Sequence, residues 1–193
     1  MQGGSLGTSD LKAFTDVKEG SWAAQAVQRW SRSGVISGYG DGSFRPEQQV
    51  TRAEFTAIVN RIFGYKDMAA VLPADIPAAA WYKDDIAKAV AVGYLSTDAN
   101  QRIEPAAPLK RGEATVALQR ILRLETERQA KGMYSDLAGA DSAVSAAADA
   151  FTAAGYMQGY PGGLFKPDGG LPVLSWRSWQ IHWCRSSAPQ PGK

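Results

Sequence analysis

GVISGYGDGSFRP, from Gly34 to Pro46, and VTRAEF, from Val50 to Phe55, are the stretches of sequence that decide the fold. Their landmarks return fifty-nine positions later, where Gly93, Pro105, Arg111 and Glu113 stand in register with Gly34, Pro46, Arg52 and Glu54. A third copy begins at Gly155 and continues with Gly159-Tyr160 and Phe165-Lys166-Pro167. Three copies at this spacing indicate a repeat protein, and such proteins usually bind or hold rather than catalyse.

The first repeat is predicted to open with Asp16 and a helix capped at its N-terminus by Ser21. Apolar residues follow at helical spacing and mark one buried face: Trp22, Ala23, Ala26, Val27 and Trp30. Gly34 is the expected C′ residue. The glycines of the following loop, Gly38 to Gly42, permit positive φ angles and close approach of the backbone.

A second helix is predicted to begin at Thr51-Arg52-Ala53-Glu54, which has the pattern of a capping box. Its core-facing stripe comprises Phe55, Ile58, Val59, Ile62 and Phe63. Arg52 falls on the first turn, where we expect it beside free backbone amides and the positive end of the helix dipole. A helix start that also offers a guanidinium favours the binding of a carboxylate.

The second repeat keeps this plan, with Asp75, Trp81 and Ile86 at the positions of Asp16, Trp22 and Val27. Its second helix begins at Lys110-Arg111-Gly112-Glu113 and lacks the capping hydroxyl, a loss of about 1 kcal/mol. The apolar stripe returns at Ala114, Ala117, Leu118, Ile121 and Leu122. The third repeat has Ser135-Asp136-Leu137 and an alanine-rich helix to Phe151, and residues 125–132 are interpreted as a linker.

Composition excludes several classes of function. Residues 172–193 hold three basic residues and no acid, and the rest of the chain has 18 basic against 19 acidic residues. We therefore expect no nucleic-acid partner. No apolar run approaches the roughly 20 residues that span a bilayer, so we expect no membrane insertion. We expect no signal peptide at the start of this sequence, because a basic and then an apolar region are both missing there. The single cysteine excludes an internal disulfide, and one histidine leaves little acid–base chemistry for an enzyme.

These motifs resemble the S-layer homology (SLH) family. Its hallmarks are an early aspartate, an aromatic residue opening the first helix, a glycine-rich loop ending in proline, and Thr-Arg-Ala-Glu. The first repeat has them at Asp16, Trp22, Gly38 to Pro46, and Thr51 to Glu54. The resemblance implies an all-α fold of three tandem helix-loop-helix repeats in a pseudo-threefold bundle. We place the repeats at residues 13–65, 72–124 and 133–171, the third being incomplete.

The resemblance also implies a function: non-covalent anchoring at the bacterial cell surface, with no catalysis and no cofactor or metal. The expected partner is a secondary cell-wall polysaccharide with pyruvylated N-acetylmannosamine, bound in grooves between repeats. By position, Arg52 and Arg111 would contact the pyruvate carboxylate. The loop walls would be Gly38, Tyr39, Gly40, Gly159 and Tyr160. Trp22 and Trp81 would flank the sugar, Asp16 and Asp75 would complete the ligand-binding set, and Thr51, Glu54 and Glu113 would cap helices.

Each assignment has an alternative. Trp22 and Trp81 could be core residues, Asp16 and Asp75 could cap turns or pair with an arginine, and Arg52 could form a surface ion pair. Asp41 hints at calcium, but one acid is too few for a calcium loop. Two alternative functions remain open: a helical scaffold for protein partners in an S-layer, and an anchoring fragment of a larger exported enzyme. The oligomeric state is not indicated by the sequence.

The third repeat departs from the pattern after Leu171, where Pro172-Val173-Leu174-Ser175-Trp176 replaces the expected Thr-Arg-Ala-Glu. One nucleotide restored after the codon of Leu171 can yield Leu-Thr-Arg-Ala-Glu-Leu in the new frame. We therefore interpret residues 172–193 as a frameshifted tail, which the encoding DNA would test. On this hypothesis a metal site at His182 and Cys184 is accidental, and two ligands are in any case too few for structural zinc.

Overall fold

A computed structural model describes residues 14–21, 23–125 and 132–171. It contains five α-helices and a short 3₁₀ turn at Ser135–Leu137. The helices are α1 (Ala24–Arg32), α2 (Arg52–Phe63), α3 (Lys83–Val92), α4 (Arg111–Leu122) and α5 (Ser142–Ala153). Within these residues there is no β-strand, and extended pairing is limited to isolated bridges such as Lys110 with Gly170. The all-α expectation is confirmed, whereas the pseudo-threefold arrangement stays a prediction.

The described residues divide into two compact units, of which the first ends at Gln48. It contains α1 and the glycine-rich loop. Its core is formed by Phe14, Val27, Val35 and Phe44, all nearly inaccessible to solvent. The rings of Phe14 and Phe44 lie 5.3 Å apart between centroids, so the start of the repeat packs directly on the end of its loop.

The prediction that Ser21 caps α1 is wrong. The helix begins at Ala24, with Ala23 at the N-cap position and no side-chain cap. A turn precedes it, in which the Ser21 carbonyl accepts from the Ala24 amide at 3.0 Å, while the Ser21 hydroxyl is buried without a partner. This turn moves the N-cap position two residues along the chain, from Ser21 to Ala23. Gly34 follows the helix with φ of 71°, as a C′ glycine should. Trp22 lies outside the described residues.

The second unit begins at Gln49, and its described part contains α2 to α5. In it α2 packs against α3, and α4 against α5. The second helix of one repeat thus packs on the first helix of the next. One apolar core joins them through residues such as Phe55, Val59, Leu118, Phe151 and Phe165. The predicted stripes are confirmed at Phe55, Val59, Ala114, Ala117 and Leu118, whereas Ile58, Ile62, Phe63, Ile121 and Leu122 are half-buried.

A buried polar network fixes α2 against α3. The Tyr94 hydroxyl donates to Asn60 Oδ1 at 2.8 Å, and Asn60 Nδ2 donates to the Asp85 carbonyl at 2.9 Å. Burial raises the pKa of Tyr94, so its hydroxyl stays protonated and able to donate. Because every partner in this chain of bonds is satisfied, the network specifies one register between the two helices.

Helix starts in the second unit follow the sequence closely. The predicted capping box is present at α2, where the Thr51 hydroxyl accepts from the Glu54 amide at 3.2 Å and Glu54 Oε2 accepts from the Thr51 amide at 2.8 Å. At α4 Glu113 still accepts from the Lys110 amide at 3.2 Å. Lysine has no acceptor atom, so the reciprocal bond is lost as predicted.

Candidate functional site

The three repeats share a tight hairpin in the loop after the first helix. The amide at its first residue donates to a carbonyl four residues later: Tyr39 to Ser43 at 2.8 Å, Asp98 to Arg102 at 2.9 Å, and Tyr160 to Leu164 at 2.7 Å. The hairpin places one side chain per repeat at the same position, a tyrosine in the first and third repeats and an aspartate in the second.

The early aspartates hold these loops in place. Asp16 accepts from the amides of Phe44 (2.8 Å) and Arg45 (2.6 Å). Asp75 accepts from Ile103 (3.0 Å) and Glu104 (2.6 Å), and Asp136 from Phe165 (2.8 Å) and Lys166 (2.7 Å). We call Asp16, Asp75 and Asp136 the loop aspartates. The second partner of each has a left-handed backbone, with φ between 53° and 59°, which a residue with a side chain adopts only at some cost.

These bonds also affect the charge of the loop aspartates. Desolvation alone would raise their pKa, but the amide donors outweigh it and lower the pKa in all three cases. Of the two roles considered for Asp16 and Asp75, turn capping is visible in the structure. Asp75 Oδ2 also lies 3.9 Å from Arg102 Nε, so the predicted pairing with an arginine is present as well.

The predicted loop glycines allow close packing. A Cβ on Gly38 would collide with the ring of Phe14, and a Cβ on Gly159 would collide with the ring of Tyr134. In the second repeat Thr97 takes the position of Gly38, and Pro73 takes the position of Phe14. The larger loop residue thus occurs where the aromatic ring that packs against the loop is missing. Gly40 faces open space.

The expectation of free amides at the start of α2 is wrong. The Arg52 and Ala53 amides donate to the carbonyls of Ala107 (3.0 Å) and Pro105 (2.9 Å) in the second-repeat loop. The amides of Arg111 and Gly112 at α4 likewise donate to Gly169 and Pro167, both at 2.8 Å. Each of these helix starts is bound to the loop of the next repeat, so these donors are not available to a ligand.

Arg52 forms a network of ion pairs in the second unit. Its Nη2 lies 2.6 Å from Glu113 Oε1 and its Nε 3.1 Å from Glu113 Oε2, while Nη1 donates to Glu104 at 2.9 Å and to the Ile103 carbonyl at 3.1 Å. The hydrogen bond to Glu113 is the main reason that the pKa of Arg52 is raised. The predicted alternative, an ion pair, is therefore present, and the guanidinium is already engaged by two carboxylates.

A groove of about 530 Å³ lies beside Arg52. Its floor is apolar, with Phe55, Tyr94, Leu109 and Val116, and its rim is charged. The cations at the rim are Arg52, Arg102, Lys110 and Arg120, and the acids are Asp98, Glu104, Glu113, Asp141 and Asp168. Since the lining holds cations and acids in similar numbers, the groove has no strong preference for an anion.

Arg111 has a different environment, although its position in the repeat is the same. It is only 3% exposed, its Nε is buried without a hydrogen-bond partner, and its Nη2 donates to the Gln158 carbonyl at 3.1 Å. Its Cζ lies 4.8 Å from the ring centroid of Phe165 and 5.2 Å from that of Tyr160. In the described part of the chain no carboxylate lies within ion-pair distance of it. Burial lowers the pKa of Arg111.

The aromatic residues named from the sequence fall into two groups. Tyr160 is 41% exposed and Trp81 is 64% exposed, with the Trp81 ring edge-on to Tyr82. Trp81 is therefore not a core residue. Tyr39 is half-buried, with Arg45 Cζ 4.2 Å from its ring centroid and Gln48 Nε2 3.3 Å from its hydroxyl. We define the third-repeat site as Arg111, Tyr160, Phe165 and the Gln158 carbonyl.

Two findings concern metals and membranes. Among the residues that the structure describes, no three histidine, cysteine, aspartate or glutamate side chains converge as metal ligands would. None of the helices in those residues has both the length and the apolar character to cross a bilayer. His182 and Cys184 lie outside the described residues, as does the tail from Pro172 onward.

The sequence did not indicate the roles of Glu104, Tyr134 and Lys166. Glu104 engages Arg52, Tyr134 lies against Gly159, and Lys166 contacts Tyr160 with its ammonium 4.6 Å from the ring centroid. Glu104 and Lys166 precede the loop proline, the position of Arg45 in the first repeat. The charge at this position changes sign between repeats, and this change is the one signal in the sequence that could have revealed the roles of Glu104 and Lys166.

Comparison with known proteins supports the resemblance. The family model of the S-layer homology domain matches residues 13–56, 74–115 and 134–171. Cell surface glycoprotein 1 of Acetivibrio thermocellus is 27% identical over 69% of this chain and 6% of its own length. The cellulosome-anchoring protein of the same organism is 30% identical over 61% of this chain and 28% of its own.

A third relative is exoglucanase XynX of Acetivibrio thermocellus, 26% identical over 81% of this chain and 15% of that protein. In all three comparisons the chain spans less than a third of the relative's length. The three family segments together cover more than half of the chain, in the order and number of the repeats derived above. The chain belongs to the S-layer homology domain family and contains three copies of the domain.

Proposed function

We propose that this chain anchors non-covalently at the bacterial cell surface by binding an acidic cell-wall polysaccharide, without catalysis. The observation that carries the proposal is Arg111, a buried guanidinium that has no carboxylate partner among the described residues and lies against the ring of the exposed Tyr160. The family assignment and the names of two relatives, a cell surface glycoprotein and a cellulosome-anchoring protein, support it.

The energetics of Arg111 favour an anionic ligand. A cation removed from water loses hydration, and its attraction to the ring faces of Phe165 and Tyr160 restores part of that loss. The ring faces accept no hydrogen bond of the strength that a carboxylate would. A carboxylate that reaches the edge of the guanidinium would supply both the missing charge and a charge-assisted hydrogen bond, in a site where screening by water is weak.

The neighbouring tyrosine fits a sugar. Tyr160 presents 41% of its surface to solvent next to Arg111, and an aromatic face with a polar tip suits the mixed surface of a pyranose ring. We propose that a pyruvylated N-acetylmannosamine unit places its ketal carboxylate at Arg111 and its ring on Tyr160. Gly159 brings this loop close to Tyr134 and so shapes the wall of the site.

We assign the other predicted residues to supporting roles or to weaker sites. A carboxylate at Arg52 would have to displace Glu113 or Glu104, so we propose that the Arg52 groove binds more weakly than the third-repeat site. Asp16 and Asp75 shape the loops through backbone amides. In the first repeat Gly38, Tyr39 and Gly40 would form a loop wall, and Trp81 offers an exposed ring for sugar contact.

The decisive experiment separates ligand binding from folding. Replacing buried charged residues by apolar residues of similar volume is often neutral or stabilising, because the desolvation of the charge is avoided. Arg111 has no carboxylate among the described residues to offset its desolvation. We therefore expect Arg111→Met to keep or raise the melting temperature while weakening sedimentation with purified wall sacculi at least tenfold. Arg29→Gln, which removes an exposed arginine in α1, is the matched control and should bind as the parent chain does.

Two outcomes would contradict the proposal. Unchanged sedimentation of a folded Arg111→Met variant would exclude the third-repeat site as the binding site. Undiminished sedimentation with sacculi stripped of their pyruvylated polymer would exclude that polymer and favour a scaffold for protein partners.

A second proposal concerns context. The exoglucanase relative matches this chain over only 15% of its length, so we propose that the chain can also serve as the anchoring segment of a longer exported enzyme. The gene with its flanking DNA would test this and the frameshift together. A codon set that cannot give Thr-Arg-Ala-Glu after Leu171 in another frame would end the frameshift hypothesis.

A further inference from the structure

Tyr160 contacts a second cation in addition to Arg111. The ammonium of Lys166 lies 4.6 Å from the centroid of the Tyr160 ring, and Arg111 Cζ lies 5.2 Å from the same centroid. The two cations differ in character, because Lys166 is exposed and Arg111 is buried. The Tyr160 ring thus contacts a buried cation, Arg111, and a solvent-exposed cation, Lys166.

Neither cation is neutralised by an acid in the described part of the chain. The nearest candidates are engaged elsewhere. Asp136 accepts from the backbone amides of Phe165 and Lys166, and no ion pair within 4.0 Å joins it to the Lys166 ammonium. Asp168, two residues beyond Lys166, lies 2.8 Å from the ammonium of Lys110. An exposed tyrosine therefore lies beside two cations, neither of which has an ion-pair partner within 4.0 Å among the described residues. Asp136 attracts the Lys166 ammonium only at longer range.

The corresponding loops of the other repeats lack this arrangement. In the first repeat Arg45 occupies the position of Lys166 and contacts Tyr39, but Asp41 pairs with it at 2.7 Å. In the second repeat the position holds Glu104, which pairs with Arg52 at 2.9 Å. Of these three loops, the third alone combines a tyrosine with a lysine or arginine that has no acid partner in the described residues.

We infer that the third-repeat site takes a saccharide unit with two anionic groups, and that Lys166 holds the second one. The inference rests on the proposed function, in which Arg111 receives the first carboxylate. Lys166 is long, flexible and exposed, so it can follow a second carboxylate or phosphate on the sugar or on its neighbour. The buried Arg111 fixes one end of the ligand, and Lys166 selects for charge at the other.

Defined glycosides test this inference directly. The probes are the methyl glycoside of pyruvylated N-acetylmannosamine, with one negative group, and the same glycoside with an added phosphate ester. Titration calorimetry would give both dissociation constants for the parent chain, for Lys166→Gln and for Arg45→Gln. We expect the phosphate to tighten binding to the parent chain about three- to fivefold, the range of an exposed ion pair. Lys166→Gln should lose this gain, and Arg45→Gln should keep it.

The outcomes distinguish the inference from the function on which it rests. If the singly charged glycoside binds but the phosphate gives no gain, or if Lys166→Gln keeps the gain, the inference is wrong and the proposed function stands. If neither glycoside binds the parent chain, the proposed function is wrong and the inference falls with it. A gain that Arg45→Gln abolishes would place the second anion in the first repeat and so also overturn the inference.

Discussion

At the scale of single residues, the loop aspartates show how much structure one carboxylate can organise. Each accepts two backbone amides, one of them from a residue with a left-handed backbone. We expect Asp136→Asn to lower the free energy of unfolding by about 1 kcal/mol at pH 7, because an amide oxygen replaces a charged acceptor and the site is half-buried. Urea unfolding would measure this, with Asp168→Asn, at an exposed pair, as the control that should change little.

The same residue should also affect stability in acid. Folding lowers the pKa of Asp136 below its ordinary value of 3.8, so the unfolded chain binds a proton more readily than the folded one. The stabilisation is therefore complete above that value and is lost as the pH falls below about 4 through the folded pKa. The Asn variant should have a flatter decline of stability in this range. An unchanged decline would show that Asp136 does not contribute to it.

Gly159 is the second residue with a specific structural role. A methyl group there would collide with the ring of Tyr134 and approach the Leu164 carbonyl to 2.8 Å. We expect Gly159→Ala to cost about 1–3 kcal/mol in the free energy of unfolding. Gly139→Ala, where no atom lies within 4 Å of the added group, is the matched control. The cost of Gly159→Ala should shrink in a Tyr134→Leu background; equal costs in both backgrounds would exclude the ring as its cause.

Residue-level prediction from the sequence succeeded where partners are close along the chain. Thr51 with Glu54 and Gly34 after α1 are such cases, because both depend on backbone geometry within a few residues. It failed at Ser21, where a preceding turn delays the helix. The contrast between Arg52 and Arg111 could not be foreseen. Both arginines stand two residues before a glutamate at the start of a helix, and the difference in their partners comes from Glu104, Glu113 and Tyr160, up to about sixty residues away.

At the scale of helices and loops, the two equivalent helix starts differ by one hydroxyl. α2 has the full capping box, and α4 has Lys110 in place of threonine. We expect Lys110→Thr to raise the free energy of unfolding by up to about 1 kcal/mol, since the new hydroxyl can accept from the Glu113 amide. The exposed pair of Lys110 with Asp168 would be lost, which offsets part of the gain.

Thermal unfolding monitored by circular dichroism would measure the effect of Lys110→Thr. Thr51→Ala in α2 is the mirror experiment and should lower stability by a similar amount. A destabilised Lys110→Thr variant would mean that the lysine pair outweighs the missing cap.

The periodicity of apolar residues could not predict the contacts between the start of a helix and the loop of the next repeat. The heptad-like spacing located each helix, but it did not show that the first amides of α2 and α4 would donate to Pro105, Ala107, Pro167 and Gly169. That interlocking depends on where the next repeat lies in space. It explains why the loop proline and the Thr-Arg-Ala-Glu position recur together, since the loops of the second and third repeats each receive a helix start from the repeat before them.

At the scale of the whole molecule, the two compact units should differ in resistance to opening. The first unit ends at Gln48 and is much smaller than the second, and its described residues hold one short helix. A smaller unit buries a smaller share of its surface on folding, so its core contributes less stability. The described residues of the second unit form four helices around a continuous core.

We therefore expect amide hydrogens of α1 to exchange faster than those of α4, in step with local opening rather than global unfolding. Native-state hydrogen exchange with mass spectrometry, repeated over a series of denaturant concentrations, would measure both. Equal protection of α1 and α4 at every concentration would contradict this expectation.

Because α2 packs on α3 and α4 packs on α5, the unit that recurs in the gene is not the unit that shares a hydrophobic interior. A chimera joined at the sequence boundary between two repeats would separate two helices that pack against each other. Cutting instead within the loop that precedes Thr51 or Lys110 would keep such pairs whole. Those who transplant surface anchors between bacteria should accordingly shift their junctions by half a repeat.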